Sequence, residues 1–372
     1  MNKRQYEKLQ NVIDGFDLEI DQIKSQQNPD FNSRINFNKD VILITGAAGS
    51  LGAELVKQLL DINFKQLILI DNNETALFSL SKKYEKELEN SNTELIPVDV
   101  RDEEAMNWLF DNYKPSIIFH TAAYKNIPLM EHNAYEAIRL NVFSTKLLAD
   151  LSVAHHVKKF IFISTNNAVN PISVVGRTKL VSEAYLNYLK IHSQTDFKAI
   201  RLGNIFESKN SLLIKFMKQV QNGKAISIAN SECEKYFINK FRACQLILKT
   251  TVLTKGDGFV FTYNMGKPFK VVELAKQISS RIAKTDKYPI EFIGLEDWEK
   301  KSEELLAEHE NIEFTVHDDI LRIKSSQGYT GEKISFNLIS VLKTNMTNID
   351  IKNRLEDCVL KLQTSPALLF AI

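Results

Sequence analysis

Cysteine, excess charge and long apolar runs are all scarce in this 372-residue sequence. The three cysteines (Cys233, Cys244 and Cys358) are scattered without metal-ligand spacing. They read as buried or idle thiols of a reducing compartment, and no metal site is expected. Lys and Arg number 47 against 46 Asp and Glu, a formal net charge of +1. That balance gives no electrostatic signature of nucleic-acid or membrane-surface binding. No apolar stretch reaches the roughly 18 residues of a spanning helix. Residues 1–40 are polar and charged, which fits neither a signal peptide nor an anchor, so a cytoplasmic protein without membrane insertion is expected. The apolar stretch 366–372 is too short to span and is expected to pack on the body or on a partner subunit. No internal repeat or low-complexity segment is evident.

What is present is alternation. Strand-like runs at 41–45, 67–71, 95–98, 116–120, 159–164 and 198–202 are separated by helical patterns at 50–60, 74–88, 103–110, 134–153 and 179–191. Continuous apolar strands between helices predict an α/β fold, a Rossmann-like doubly wound parallel sheet covered on both faces. After about residue 205 the pattern turns more polar and irregular. The expected organisation is a helical leader over 1–38 and a dinucleotide-binding domain over 39–205. A smaller substrate lobe with returning Rossmann elements then covers 206–330, and a mixed extension 331–372.

Thr45-Gly-Ala-Ala-Gly-Ser-Leu-Gly52 joins the first strand to the first helix. Glycine lets the backbone turn tightly and approach a pyrophosphate, and the helix N-terminus offers N–H groups and a positive dipole end. A lone glycine cluster is compatible with an ordinary tight turn. Here strand, loop, helix and an acid ending the next strand agree, so Gly46, Gly49, Ser50, Leu51 and Gly52 are assigned to a dinucleotide. Asp71 would accept the ribose hydroxyls of NAD and repel the 2′-phosphate of NADP, and no arginine follows it closely in sequence. NAD is therefore expected rather than NADP. Asp99, followed by Val100, could meet the adenine or could cap the helix that begins at Glu103.

These segments, with His120-Thr-Ala-Ala-Tyr-Lys125, Asn141 and Arg201-Leu-Gly-Asn204, resemble the extended short-chain dehydrogenase/reductases. The nearest group resembles the UDP-N-acetylglucosamine 4,6-dehydratases of capsule and glycan biosynthesis. The similarity runs over about 32–306 and is strongest over 41–204, including Asn167-Ala-Val-Asn-Pro171. Later anchors are Met265-Gly-Lys-Pro268 and Gly294-Leu295. Larger relatives carry an N-terminal membrane region, and none is expected in this sequence. The resemblance implies NAD(P), a nucleotide sugar (a UDP-linked hexosamine), Ala122 and Ala123 beside the cofactor, and a homo-oligomer. It also implies a cycle in which the cofactor oxidises C4 of the sugar, water leaves across C5 and C6, and the hydride returns to C6. Such a cycle needs positioned acids and bases.

The sequence departs from that group at the chemistry. The family's catalytic strand ends Thr-Asp-Lys, with Tyr or Met ten residues after the Thr and Lys four later. Here Thr165, Val175 and Lys179 keep the register, but Asn166 and Asn167 replace the Asp and Lys. An amide hydrogen-bonds but does not exchange protons near neutral pH. Lys179 is implied to hold the nicotinamide ribose, or else is a solvated helix lysine. Thr165 could bond a sugar hydroxyl or cap the strand end. Lys125 matches a substrate-side lysine, with Asn126 where His is usual. On the nucleotide side Lys235 replaces the Arg before Tyr-Phe, losing the bidentate fork. Glu296 replaces a phosphate-binding cation. Asn204 is implied to contact the diphosphate. Arg201 could instead be a strand-edge ion pair, and His155-His156 reads as a solvent-facing helix end. Two readings stand: an enzyme on a nucleotide sugar by a modified route, such as oxidation or epimerisation, or a non-catalytic homologue that binds NAD as a partner or regulator.

Overall fold

A computed structural model describes residues 35–208, 211–285, 287–325 and 345–364. Most of the expected leader, part of the expected C-terminal extension and the apolar stretch 366–372 lie outside the described residues. The main sheet has nine strands, numbered here in chain order: β1 Phe37–Thr45, β2 Phe64–Asp71, β3 Thr93–Pro97, β4 Ile117–His120, β5 Lys159–Thr165, β6 Asp196–Leu202, β7 Val260–Tyr263, β8 Glu310–Phe314 and β9 Ile320–Ser325. Their spatial order is β8-β9-β7-β6-β5-β4-β1-β2-β3. β1 to β7 pair in parallel, and β9 pairs antiparallel with both β7 and β8. The fold is α/β, with the order 3-2-1-4-5-6 inside the sheet. That order reverses between β1 and β4, which opens a crevice at the carboxyl ends of those strands.

Both faces of the sheet are apolar because both are covered. Ile42 and Ile44 of β1 pack with Leu55 and Leu59 on one face, while Leu43 packs with Met106 and Leu109 on the other. Continuous apolar strands, without alternation, are what this burial requires. A third core, with Leu213, Phe216, Ile226, Leu274 and Ile278, belongs to a separate lobe built from residues after β6.

Three helices carry the rest of the argument: α1 Ser50–Leu60, α2 Val174–His192 and α3 Asn348–Thr364. The α1 bounds match the sequence expectation. α2 starts five residues before the expected 179. Val174, Val175 and Gly176 are poor helix formers, which masks the start. Capping overrides them: Ser173 Oγ accepts the Gly176 N–H at 3.1 Å, and Glu131 Oε1 accepts the Val174 N–H at 2.6 Å. The expected single helix 134–153 is interrupted by a π-turn over Arg139–Phe143. Such turns recur where a side chain must be re-aimed at a site.

Candidate cofactor and active site

The glycine loop crosses the carboxyl ends of β1, β2 and β4. Gly46 has φ +66°, and a Cβ there would lie 2.8 Å from the Ala122 backbone. A Cβ on Gly49 would lie 3.0 Å from the Gly46 carbonyl, and one on Gly52 would collide with it. The backbone thus has no room for side chains where the loop approaches Thr121–Ala123. No side chain caps Gly49 at the start of α1. The loop borders a cavity of about 170 Å³, open to solvent and lined also by Asp71, Asp99, Val100, Ala122, Ala123 and Tyr124. Ser50, Leu51 and Gly52 form the first turn of α1 behind it, with the Leu51 side chain in the core.

Asp71 braces the loop before any ligand arrives. Its Oδ2 accepts the Ala48 N–H at 3.0 Å and its Oδ1 the Asn73 N–H at 2.9 Å. Each carboxylate oxygen has a second lone pair, so the ribose-side role stays open to it. Asp99 does not cap the following helix. Asp102 does, accepting the Ala105 N–H at 3.0 Å. Asp99 is instead gripped by Arg101, at 2.6 Å from its Nη2, and that hydrogen-bonded fork holds the carboxyl below its usual range. The same guanidinium reaches Glu136 at 2.6 Å. An arginine therefore does stand close to this end of the site, with its charge already matched by two carboxylates.

At the chemical end, Thr165 closes β5 as a cap. Its Oγ1 accepts the Asn167 N–H at 3.2 Å, starting the turn Asn166–Ala168. Asn166 is buried, with Nδ2 3.7 Å from the Met265 sulfur, and Val175 is in the core. Lys179 is buried as well, not solvated. Its Nζ donates to the Ile163 carbonyl at 2.8 Å and lies 4.4 Å from the Phe162 ring centre. Burial pushes its pKa down to about 7. His120, held between Thr45 Oγ1 at 2.7 Å and Thr145 Oγ1 at 2.9 Å, is pushed down to about 3 by burial and by Lys179. It is therefore neutral at physiological pH. The π-turn aims Asn141 at both sides of the crevice. Its Oδ1 accepts the Tyr124 N–H at 2.8 Å, and its Nδ2 donates to Thr178 of α2 at 3.0 Å.

The Lys179 shift has a sign that can be checked. Between about pH 7 and its ordinary 10.5, the unfolded chain holds a proton that the folded chain does not. This group's contribution to stability therefore rises with pH across that window. Lys179→Met is expected to remove that slope, read as the difference in melting temperature between the two proteins near pH 7 and near pH 9. Parallel curves would exclude the shifted lysine.

The residues that the resemblance assigns to the nucleotide side gather on one carboxylate. Glu303, buried, accepts Asn204 Nδ2 at 2.8 Å, Lys235 Nζ at 3.3 Å and the Tyr236 N–H at 3.2 Å. Sequence reasoning passed over Glu303, although it follows the 294–300 segment by only three residues. Glu296 is exposed, as is Lys125 on the loop after β4, and Asn126 caps the short helix Ile127–Glu131. Arg201 is an ion-pair residue, but β6 is interior to the sheet, not at its edge. Its guanidinium is gripped by Glu183 at 2.7 Å and Glu310 at 2.8 Å. No cluster of three metal-ligating side chains exists among the described residues. None of the described helices is long and apolar enough to cross a membrane.

A family model described as polysaccharide biosynthesis protein matches residues 42–325. The chain belongs to this polysaccharide biosynthesis protein family. As a member, it is 34% identical over 331 residues to the capsular polysaccharide biosynthesis protein CapD of Staphylococcus aureus, covering 85% of this chain and 55% of that one. The family member thus spans about half the length of that relative. It is 28% identical to a UDP-N-acetylglucosamine 4,6-dehydratase (inverting) of Campylobacter jejuni, covering 73% and 78% of the two chains. Among solved structures, the Bordetella bronchiseptica enzyme WbmG in complex with NAD and UDP superposes with a TM-score of 0.60. It is 20% identical, covers 72% of this chain and 85% of that one, and shows that the fold is shared.

Proposed function

We propose that the protein binds NAD in the crevice beside Gly46 and Asp71 and acts in capsule or glycan biosynthesis as a nucleotide-sugar dehydratase-like member that does not carry out 4,6-dehydration. The observation that carries this is the contrast between the two ends of the site. The loop leaves no room for a Cβ at Gly46, as a dinucleotide cradle requires, and Lys179 is kept. Asn166 and Asn167 stand where the resemblance implies an acid and a base, and Val175 stands where it implies Tyr or Met. When bound, NAD supplies hydride acceptance. Gly46, Gly49 and the first turn of α1 would hold its pyrophosphate, Asp71 its adenosine ribose, and Lys179 its nicotinamide ribose. The ligand class on the other side is a nucleotide sugar, a UDP-linked hexosamine in keeping with the names of the relatives, with Lys125, Asn204 and Lys235 on that side. Assembly as a homo-oligomer is part of the same reading.

Each missing acid or base costs on the order of 10²–10⁴ in rate. The protein incubated with UDP-N-acetylglucosamine is therefore expected to give no 4-keto-6-deoxy product by mass spectrometry, while NAD is released on denaturation. The double variant Asn166→Asp, Asn167→Lys run alongside is expected to gain product. Efficient dehydration by the unmodified protein would overturn the reading. One observation favours a second reading, oxidation or epimerisation at a single carbon. The Lys179 amine, with its pKa near 7, can exchange a proton at neutral pH. A sugar product changed at C4 without loss of water would establish it.

A further inference from the structure

The C-terminal helix α3 is wired to the helix that carries Lys179. Ile351, Leu355, Cys358, Val359 and Leu362 share one core with Leu180, Val181 and Ala184 of α2. Arg177 of α2 pairs with Glu356 at 2.9 Å. The decisive link is Glu131, whose side chain is 2% exposed. Its Oε1 accepts the Val174 N–H at the start of α2, at 2.6 Å, and its Oε2 pairs with Lys352 Nζ of α3, also at 2.6 Å. Asn348, at the start of α3, donates to the Glu131 carbonyl at 2.8 Å and accepts the Ala134 N–H at 3.0 Å. Lys352 also lies 5.7 Å from the ring centre of Trp298, in the segment that follows Gly294-Leu295.

A buried carboxylate is tolerable only when both oxygens are satisfied. Here one oxygen neutralises the positive end of α2 and the other takes an ammonium. Without Lys352 the buried carboxylate loses its countercharge and is drawn toward water. That change weakens its bond to Val174. The first turn of α2 is built of β-branched residues and glycine, which form helix poorly, so its position depends on the Ser173 cap and on this bond from Glu131. Lys179 follows one turn later, and its bond to Ile163 depends on where that turn is anchored.

We propose that Lys352 and Glu131 are positioning residues, through which the C-terminal helix sets the first turn of α2 and so the placement of Lys179 at the cofactor. This rests on the NAD reading above. Because Lys179 serves the nicotinamide half and the glycine loop with Asp71 serves the adenosine half, the two halves can be tested apart. Lys352→Met, which keeps the stem over Trp298, is expected to weaken NAD roughly tenfold while AMP binding is unchanged. Lys352→Arg is expected to restore NAD. In the same Met variant, hydrogen exchange of the amides at 174–179 should speed up relative to those of β4. Equal loss of NAD and AMP, or no loss with unchanged exchange, would overturn the proposal. If the unmodified protein binds neither nucleotide, the cofactor reading fails separately, and the exchange rates alone decide the positioning role.

Discussion

Arg201→Ala is expected to lower the free energy of unfolding by about 3–5 kcal/mol, the usual cost of breaking a buried ion pair from one side. Arg201 is 1% exposed, and its partners Glu183 and Glu310 are buried with it. Burial opposes the guanidinium's charge, but the two carboxylates outweigh it and raise its pKa above the ordinary value. Four atoms of Glu183 and Glu310 are engaged in forked bonds, and Glu310 also accepts the Ala307 N–H at 2.9 Å. Truncation leaves two carboxylates in the core without a cation. The triad also ties β6 to α2 and to the start of β8. Urea unfolding measures the effect. A change under about 1 kcal/mol would mean the triad is solvated or relaxes freely. Replacing all three members by apolar residues of similar volume is expected to cost much less, because nothing charged is then left behind.

Gly46→Ala is expected to yield protein without NAD, with affinity down about 100-fold or more. Two effects act together. A φ of +66° is unfavourable for alanine, costing on the order of 1–3 kcal/mol. The new methyl would also press on the Ala122 backbone at 2.8 Å, which cannot rotate away as a side chain could. The loop must move, and with it the Ala47 N–H bond to Ile70 and the Gly49 N–H bond to the Gly46 carbonyl. Those bonds aim the loop at the crevice. Nucleotide absorbance of the denatured supernatant, followed by calorimetric titration, checks it. NAD retained at the unmodified level would show that the loop does not approach the cofactor.

The two variants probe features of different legibility. The glycine loop was readable because everything it needs is consecutive: a strand, three spaced glycines, a helix and an acid on the next strand. That Asn166, Asn167 and Val175 lie in register between Thr165 and Lys179 was also readable, since that spacing is local. The contacts of Asp99, Thr165 and Arg201 were not readable in the sequence. Asp99 binds Arg101 while Asp102 takes the cap, Thr165 caps the turn after β5, and Arg201 joins a triad. Lys179 could be placed on a helix, but not buried against Phe162 with a depressed pKa.

By itself the sequence determined the α/β alternation, the glycine turn after the first strand and which residue types stand between Thr165 and Lys179. Backbone propensity, apolar periodicity and glycine geometry act over a few neighbours, so a reader of the chain can apply them directly. Only the tertiary structure decided how charges pair. Arg201 with Glu310, Glu303 with Asn204 and Lys235, and Lys352 with Glu131 join segments far apart in the chain. The cost of burying a charge depends on the whole fold around it, and no short stretch of sequence records which partner will be there.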